Sequence, residues 1–230
     1  MRHGPERLSE DELRAIYDQN YVDQYDVHAL QRMRRMLPFF DVSADHVVAD
    51  FACGNGVLCD LIGSRVRKYV GVDFSDEFIR AAEGRQKARG VHNAEFHRAD
   101  IVAFCAEHPH EFDAAFALDF SEHIYDDQLV RIFSAIHGAL KAGAPLYLHT
   151  PNGEYFMERL RERGVLRQIE GHVAVRDAKG HEALLAECGF ARIELHYLPH
   201  YLSFASAFHF LGSLPLVGRW FRARLLLTCR

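Results

Sequence analysis

The chain has 230 residues, of which 49% are apolar and 26% are charged, with a formal net charge of −5 and a pI of about 6.3. This length and composition are typical of one globular domain and exclude a wholly disordered chain. The acidic balance argues against a surface that follows nucleic-acid phosphates. We expect the arginines grouped near residues 32–35 and 219–230 to be solvated surface charge.

The cysteines and the N-terminal segment bear on the cellular compartment. Five cysteines without a Cys-x-x-Cys pair predict reduced thiols rather than a disulfide framework or a structural zinc site. The segment MRHGPERLSEDELR has no apolar stretch of the kind found in a secretory signal. We therefore expect a cytoplasmic protein.

Residues 1–44 are predicted to form a helical cap that precedes the main domain. Ser9 and Glu12 have the spacing of a capping box, and a second helix is predicted from about residue 26 to residue 37, ending before Pro38. Three tyrosines of the cap share one helical face, which we interpret as packing, with closure over a ligand as the alternative: Tyr17, Tyr21 and Tyr25.

Residues 45–230 alternate short apolar runs with longer amphipathic stretches. Strands separated by helices of this length predict parallel β-α-β crossovers, and therefore one α/β domain with helices on both faces of its sheet. The predicted strands lie at 46–52, 68–74, 94–100, 112–120 and 144–150, and the predicted helices near 57–64, 75–89 and 126–140.

The C-terminal part differs from this alternation. A helix near 180–188 precedes two predicted strands, 191–198 and 222–229, which we expect to pair antiparallel because no crossover helix of normal length separates them. Between them, residues 201–217 are strongly apolar but too short and too interrupted to span a membrane. This stretch either packs on the domain or forms a lid or peripheral membrane patch that serves a lipophilic substrate.

The segment VVADFACGNGVLCDLI (47–62) places a glycine turn between a strand and a helix. Asp50 ends the predicted strand, and Gly54 and Gly56 flank Asn55 in the turn. Glycines suit this position because the backbone bends sharply and a Cβ would obstruct a ligand lying against it. Many α/β domains have such a turn for packing alone, so the acidic residues that follow decide its interpretation.

Two further acidic residues end the next predicted strands. Asp73 follows Gly54 by nineteen residues, a spacing at which an acid accepts the hydroxyls of a ribose, and Asp100 ends the third strand, where an adenine would lie. Either aspartate alone would be explained as a helix N-cap. Together with the glycine turn, these strand ends predict a nucleoside site at the carboxyl edge of the sheet.

A nicotinamide dinucleotide is the alternative ligand for such a site. Its fingerprint has a glycine or alanine where this chain has Cys59, and it places a pyrophosphate at a helix N-terminus. An adenosyl sulfonium has no pyrophosphate and needs an electron-rich pocket, which Asp50 and Asp119 would supply.

The motif series as a whole resembles the class I S-adenosylmethionine-dependent methyltransferases. It runs through DFACGNG (50–56), VGVD (70–73), RAD (98–100) and ALDFSEHIYDD (117–127). More narrowly, it is similar to the small-molecule group that includes the ubiquinone-pathway O-methyltransferases. The resemblance implies S-adenosylmethionine as cofactor and a Rossmann-like sheet of seven strands whose last strand is antiparallel.

The resemblance also implies roles for individual residues. Asp50 and the turn at 54–56 would face the methionine part of the cofactor, Asp73 its ribose, and Asp100 with Ile101 its adenine. The full cofactor set implied in this way is Asp50, Ala52, Cys53, Gly54, Asn55, Gly56, Asp73, Phe74, Asp100, Ile101 and Asp119.

The residues after the fourth strand predict a small-molecule acceptor. The Asn/Asp-Pro-Pro-Tyr/Phe motif of many amino-group and nucleobase methyltransferases is missing there, which argues against a nucleic-acid or glutamine substrate. We expect a hydroxyl acceptor, with a nitrogen or carbon acceptor as the alternative. His123 and His172 are the candidate general bases, with structural alternatives as a loop anchor and a surface turn residue, whereas His149 is interpreted as packing. Four aromatic side chains would line the pocket of an apolar or aromatic acceptor, or alternatively belong to the core: Phe120, Tyr125, Tyr155 and Phe156.

A divalent metal site is also predicted after the fourth strand. Asp119, Glu122 and His123 stand at i, i+3 and i+4, so one helical turn would aim all three at a common point. Two carboxylates and an imidazole suit a divalent ion, which would lower the pKa of a bound hydroxyl acceptor. The alternative is that Glu122 and His123 orient the loop without a metal.

Two hypotheses from other functional classes remain at this stage. One is an oxidoreductase or epimerase that uses a dinucleotide, and the other is a catalytically silent binding subunit that retains the fold. The intact glycine turn and the acids Asp50, Asp73 and Asp100 argue against a degenerate site.

Overall fold

A single mixed sheet organises the molecule, and the computed structural model describes residues 7, 8, 12, 29–201 and 208–230. The sheet has seven strands in the order β3-β2-β1-β4-β5-β7-β6. They are β1 (Val47–Phe51), β2 (Lys68–Asp73), β3 (Ala94–Arg98), β4 (Ala114–Leu118), β5 (Leu146–Pro151), β6 (Ile193–Leu198) and β7 (Arg224–Cys229). Strands β1 to β5 pair in parallel, and β7 runs antiparallel to β5 and β6. The predicted Rossmann-like sheet with its last strand reversed is confirmed.

Helices cover both faces of this sheet. In the described part of the chain they are α1 (29–36), α2 (Val57–Ile62), α3 (Asp76–Arg89), α4 (Ile101–Glu107), α5 (Asp126–Ala139), α6 (Phe156–Glu162) and α7 (Ala178–Glu187). Short 3₁₀ helices occupy Leu37–Phe39, Gly63–Arg65, Ser121–His123, His209–Ser213 and Gly218–Phe221. The sequence did not predict α4 and α6, because two helical turns display too little of a 3.6-residue period, whereas the equally short α2 was indicated by the glycine turn before it.

The end of the first described helix differs from the prediction. The α-helix was expected to extend to residue 37 and stop before Pro38, but it ends at residue 36 and continues as the 3₁₀ helix Leu37–Phe39. Proline fits there because it lies in the first turn of the 3₁₀ helix, where its missing N–H would have no partner anyway.

Two apolar cores flank the sheet. Because the central strands are covered on both faces, their sequences are continuous apolar runs. Every residue of β1 and β4 is buried, as parallel strands covered on both faces require. One face packs against α4, α5 and α7, with Phe51, Phe112 and Phe133 at its centre. The other packs against α1 and α2, with Met36 and Tyr69 among its buried residues.

The carboxyl ends of the parallel strands meet at one edge of the sheet, and β7 begins at the same edge. Arg224, the first residue of β7, lies opposite Pro151, the last residue of β5. The edge therefore collects the residues that end β1, β2, β4 and β5 together with the first residue of β7. In open α/β sheets this is the edge where ligands bind.

The structure describes only parts of the N-terminal and C-terminal segments. Ser9, the three cap tyrosines and residues 202–207 lie outside the described residues. Residues 208–221 form short 3₁₀ helices and turns, with Phe210 and Leu216 exposed by 71% and 93%. None of the described helices is long and apolar enough to cross a membrane.

Candidate active site

The glycine turn after β1 forms the first wall of the site. Gly56 adopts φ +76°, and a Cβ there would lie 3.1 Å from the Cβ of Ala82 and 3.2 Å from the ring of Phe96. Gly54 and Ala52 also have positive φ values, 54° and 55°. A left-handed alanine is strained by about 1 kcal/mol or more, which marks the turn as a backbone held in place by its surroundings.

Asp73, at the end of β2, holds this turn. Its Oδ2 accepts a hydrogen bond from the Gly54 N–H at 3.0 Å, and its Oδ1 accepts one from the Ser75 N–H at 3.0 Å. The N-cap of α3 is Ser75, whose Oγ accepts from the Phe78 N–H. The N-cap alternative for Asp73 is therefore wrong, and its carboxylate lies against the glycine turn.

Asp50 and Asp73 are two buried carboxylates without a basic partner among the described residues. Each is at most 5% exposed, and the Tyr69 hydroxyl donates a hydrogen bond to Asp50 Oδ2. Burial, with a smaller contribution from the charge of Asp73, raises the pKa of Asp50 to about 7. Burial also raises the pKa of Asp73 to about 6, against the effect of the backbone N–H groups that it accepts. A ligand that brings hydroxyls and a positive charge would stabilise both carboxylates.

Asp100, predicted beside an adenine, acts as the N-cap of α4. Its Oδ1 accepts hydrogen bonds from the Val102 N–H at 3.0 Å and the Ala103 N–H at 3.1 Å. The structural alternative for this residue is therefore realised. Ile101 is the first residue of α4 and is 8% exposed, and the Phe74 carbonyl accepts from Arg98 Nε at 3.4 Å.

Asp119 follows β4, and three basic side chains contact its carboxylate. Arg32 Nε lies 2.5 Å from Oδ2, while His149 Nδ1, at 2.9 Å, and the Arg224 guanidinium contact Oδ1. Burial favours the neutral acid, but Arg32, His149 and Arg224 together hold the pKa of Asp119 well below its usual range. The carboxylate expected to face a sulfonium or a metal is thus neutralised by the protein itself.

The expectation of solvated arginines is wrong for two members of the clusters. The Arg32 and Arg224 side chains are 14% and 11% exposed, because the Asp119 carboxylate compensates their charges. His149, interpreted as packing, is 1% exposed and belongs to the same cluster. Its pKa is lowered by burial, against the attraction of Asp119.

The predicted helical turn for a metal is also wrong. Asp119 has φ 56°, and the 3₁₀ helix begins only at Ser121. The structure instead brings together Glu122, His123 and His172, whose potential ligand atoms all lie within 4.8 Å of one another. His172 reaches this place because the N–H groups of residues 173 and 174 both donate to the Glu122 carbonyl.

The two candidate histidines differ in their environments. His123 Nδ1 lies 2.9 Å from the Gly171 carbonyl, so this nitrogen carries the proton and the loop-anchor role is present. The His172 ring packs edge-to-face on His123, with ring centroids 5.0 Å apart. Burial and then the His123 charge lower the pKa of His172 to about 3, so it is neutral near pH 7. Its Nδ1 is buried, with no hydrogen-bond partner in the described chain.

Two residues that sequence reasoning missed hold the loop after β4. Arg176 is buried and donates to the Ser121 carbonyl at 2.7 Å and to the Ile124 carbonyl at 2.8 Å. His181 Nε2 lies 3.1 Å from Ser121 Oγ. Arg176 belongs to the segment VAVRD (173–177), but no rule of sequence spacing connects an arginine there with a loop about fifty residues earlier.

The four aromatic side chains proposed to wall an acceptor separate into two groups. Phe120 stacks on Phe133 in the core, and Tyr125 accepts a hydrogen bond from the backbone N–H of residue 8. Tyr155 and Phe156 contact each other, and Tyr155 stacks on His200, with centroids 5.9 Å apart. The second pair therefore lies beside the ionisable side chain of His200.

The central part of the chain is similar to known sequences. Residues 48–143 match the family described as a methyltransferase domain. The ubiquinone biosynthesis O-methyltransferase of Saccharophagus degradans is 27% identical over 109 residues, which cover 47% of this chain and 45% of that protein. The enzyme of the same name from Pseudomonas fluorescens strain Pf0-1 is 29% identical over 105 residues, covering 46% and 44%. The aligned region thus spans less than half the length of these curated relatives.

Comparison with solved structures extends over nearly the whole chain. A SAM-dependent methyltransferase from Archaeoglobus fulgidus has a TM-score of 0.68 at 14% identity, covering 93% of this chain and all of that one. The YcgJ protein from Bacillus subtilis has a TM-score of 0.64 at 16% identity, covering 86% and 97%. At these identities the similarity shows the fold.

Proposed function

We propose that this chain, a class I methyltransferase by its fold and by its domain at residues 48–143, transfers the methyl group of S-adenosylmethionine to a hydroxyl of a small-molecule acceptor. The observation that carries the proposal is the pair of buried carboxylates, Asp50 and Asp73, against the glycine turn. The alternatives are transfer to a nitrogen or carbon acceptor of similar size.

The carboxylate pair supports this cofactor over a dinucleotide. A ribose would donate its hydroxyls to Asp73, and the positive charge of the methionine part would offset the cost of ionising Asp50. A pyrophosphate would instead bring negative charge towards two carboxylates that already repel each other. The third glycine position of the dinucleotide fingerprint holds the buried Cys59, which agrees with the same choice.

The histidines at the carboxyl edge support an acceptor that loses a proton. When bound, S-adenosylmethionine supplies a methyl group activated for in-line displacement by its sulfonium. We assign proton removal to His123, because a proton on Nδ1 leaves the lone pair on Nε2. His172 is too weak a base for this role at pH 7, so we assign it to orienting the acceptor. The similarity to the ubiquinone-pathway O-methyltransferases favours oxygen as the nucleophile.

Metal assistance is a second candidate, favoured by the Glu122, His123 and His172 cluster. Two imidazoles and one carboxylate form a ligand set suited to zinc and similar transition metals, whereas magnesium prefers oxygen ligands. The buried, unpartnered Nδ1 of His172 in the described structure agrees with such a site. An ion held there would lower the pKa of a hydroxyl acceptor.

Contacts from the N-terminal segment support the division into a cap at 1–44 and a domain at 45–230. Arg7 forms an ion pair with Asp127 at 2.7 Å, and Arg32 reaches Asp119 at the strand edge. A cap in this position would exclude water from the site, which methyl transfer requires.

Calorimetry with S-adenosylmethionine, S-adenosylhomocysteine and NAD tests the cofactor. We expect the first two to bind and NAD not to bind, and Asp73→Asn to weaken binding by about 1.5–3 kcal/mol through the loss of charge-assisted hydrogen bonds. Asp76→Asn is the matched control, because its side chain is 53% exposed and lies three residues away. Wild-type affinity in Asp73→Asn, or binding of NAD alone, would overturn the cofactor assignment.

Activity measurements then test the acceptor and the metal. Radiolabelled methyl transfer to a panel of phenols, amines and activated carbon acceptors should favour the phenols. Elemental analysis of protein purified without a histidine tag distinguishes the two roles of His123. A bound transition metal that is lost in His123→Ala would make its Nε2 a metal ligand rather than the base. Full activity after exhaustive chelation would exclude a catalytic ion and leave His123 as the base alone.

A further inference from the structure

A group of buried hydrogen-bond donors lies beside the candidate acceptor site. Tyr155 precedes α6, Arg161 lies in the last turn of that helix, and Arg224 begins β7. Tyr155 stacks on His200, His200 stacks on Tyr201 at 4.4 Å, and the Arg224 guanidinium lies 5.9 Å from the Tyr201 ring. We call Tyr155, Arg161 and Arg224 the donor cluster.

The donor cluster has polar hydrogens that the described part of the chain does not use. The Nε of Arg161, the Nε of Arg224 and the Tyr155 hydroxyl are buried, and none finds a hydrogen-bond partner within the described chain. Tyr155 is 2% exposed, and the two arginine side chains are 15% and 11% exposed. Buried donors normally have partners, so three in one cluster indicate a ligand that accepts hydrogen bonds.

The ion pairs around the donor cluster leave part of each guanidinium group unused within the described chain. Arg161 is paired with Glu158 at 2.5 Å, and Arg224 contacts the carboxylate of Asp119, yet neither Nε has a hydrogen-bond partner among the described residues. Both arginines therefore bring a cationic group with a buried, available donor to the cluster. The neighbouring His200 is kept neutral, because burial and then the charges of Arg224 and Arg161 lower its pKa to about 4.

From these observations we infer that the methyl acceptor carries an anionic oxygen group, a phosphate or a carboxylate, which the donor cluster binds. Guanidinium groups form the strongest hydrogen bonds of proteins with such oxyanions, and a tyrosine hydroxyl adds a directed donor. The inference rests on the proposed methyl transfer. Arg224 also contacts Asp119, which lies at the carboxyl edge of the sheet four residues before His123, so an anion held here would leave the rest of the acceptor on the His123 side of that edge.

Anion binding to wild-type protein saturated with S-adenosylhomocysteine tests the inference. The probes are inorganic phosphate, phenyl phosphate and benzoate, with phenol as the uncharged reference, and their affinities are measured by calorimetry. We expect phenyl phosphate or benzoate to bind at least about tenfold more tightly than phenol, and the better of the two identifies the source of the oxyanion. Equal affinity for the anions and phenol would overturn the inference.

Three variants assign the binding to the donor cluster. Arg161→Gln should weaken the preferred anion by about tenfold or more, whereas Arg159→Gln, two residues away at an exposed position, should not. Tyr155→Phe should weaken the anion without lowering the melting temperature, because its hydroxyl has no partner within the described structure to lose. An equal loss in Arg161→Gln and Arg159→Gln would indicate unspecific surface attraction and overturn the inference.

The cofactor measurement separates this inference from the proposed function. Affinity for S-adenosylhomocysteine should stay within about twofold of wild type in Arg161→Gln. A loss of about tenfold or more would mean that the cluster binds the cofactor carboxylate, which overturns the inference but leaves methyl transfer standing. If wild-type protein does not bind S-adenosylhomocysteine at all, the proposed function fails first, as the separate calorimetry would show.

Discussion

Replacing Asp50 by Asn should stabilise the protein without ligand at alkaline pH. The pKa of Asp50 is raised from its ordinary value of 3.8 to about 7 by burial, so the folded state binds this proton more tightly than the unfolded state. The corresponding stability is fully present below about pH 4 and is lost as the pH rises towards 7. A shift of this size amounts to about 4 kcal/mol, an upper figure because the buried site relaxes around the charge.

Urea denaturation at pH 5 and pH 8 measures this effect. From pH 5 to pH 8 the free energy of unfolding of the wild type should fall by about 2.5 kcal/mol more than that of Asp50→Asn. The Asn side chain still accepts the hydrogen bond of the Tyr69 hydroxyl, so the comparison isolates the charge. Asp76→Asn, at an exposed position, should follow the wild-type pH dependence.

If the free energy of unfolding changed by the same amount from pH 5 to pH 8 in wild type and Asp50→Asn, the expectation would be refuted. The pKa of Asp50 would then not be raised by burial. The same variant links stability to function. If Asp50 offsets the positive charge of the cofactor, Asp50→Asn should lose more affinity for S-adenosylmethionine than for S-adenosylhomocysteine, which lacks the sulfonium.

Three further expectations concern the glycine turn, His172 and the apolar C-terminal segment. Gly56→Ala should cost about 1–3 kcal/mol in urea denaturation, because of its φ of +76° and the 3.1 Å contact, whereas Gly84→Ala, with nothing within 4 Å, should not destabilise. The pH–rate profile of His172→Gln should keep its wild-type shape between about pH 5 and pH 9, since the pKa of His172 is about 3 and the group does not titrate there; a lost limb would contradict this. Leu216→Ser, at a side chain 93% exposed, should change the free energy of unfolding by less than about 0.5 kcal/mol but reduce liposome binding or the use of apolar acceptors. A large drop in stability would instead show that the segment is core.

Features that depend on neighbouring residues were predicted correctly, and features that depend on contacts between distant segments were not. The strands and the longer helices were predicted because alternation, capping and apolar periodicity are properties of neighbouring residues. Helices α4 and α6 were missed because two turns carry too little of that pattern, whereas the equally short α2 follows a glycine turn that indicated it. The N-cap alternative held for Asp100 and failed for Asp73, although both are acids that end a strand before a helix.

The acidic strand ends were placed correctly at one edge, because parallel strands joined by crossovers must present their carboxyl ends together. What each carboxylate contacts could not be derived in the same way. Asp119 was assigned to a sulfonium or a metal, but Arg32 from the cap and Arg224, 105 residues later, bind it. No local pattern reports such a partner, since an arginine on a helix or at a strand start looks the same whether solvated or buried.

The sequence by itself therefore determined the α/β sheet, the glycine turn and the acids at the carboxyl edge of the sheet, all of which follow from local conformation and strand direction. Only the tertiary structure decided that His172, rather than Asp119, joins Glu122 and His123. The same holds for the Tyr155 hydroxyl and the Nε atoms of Arg161 and Arg224, which find no hydrogen-bond partner among the residues that the structure describes. The physical reason is that burial and charge compensation depend on segments far apart in the chain, and these properties exist only once the chain has folded.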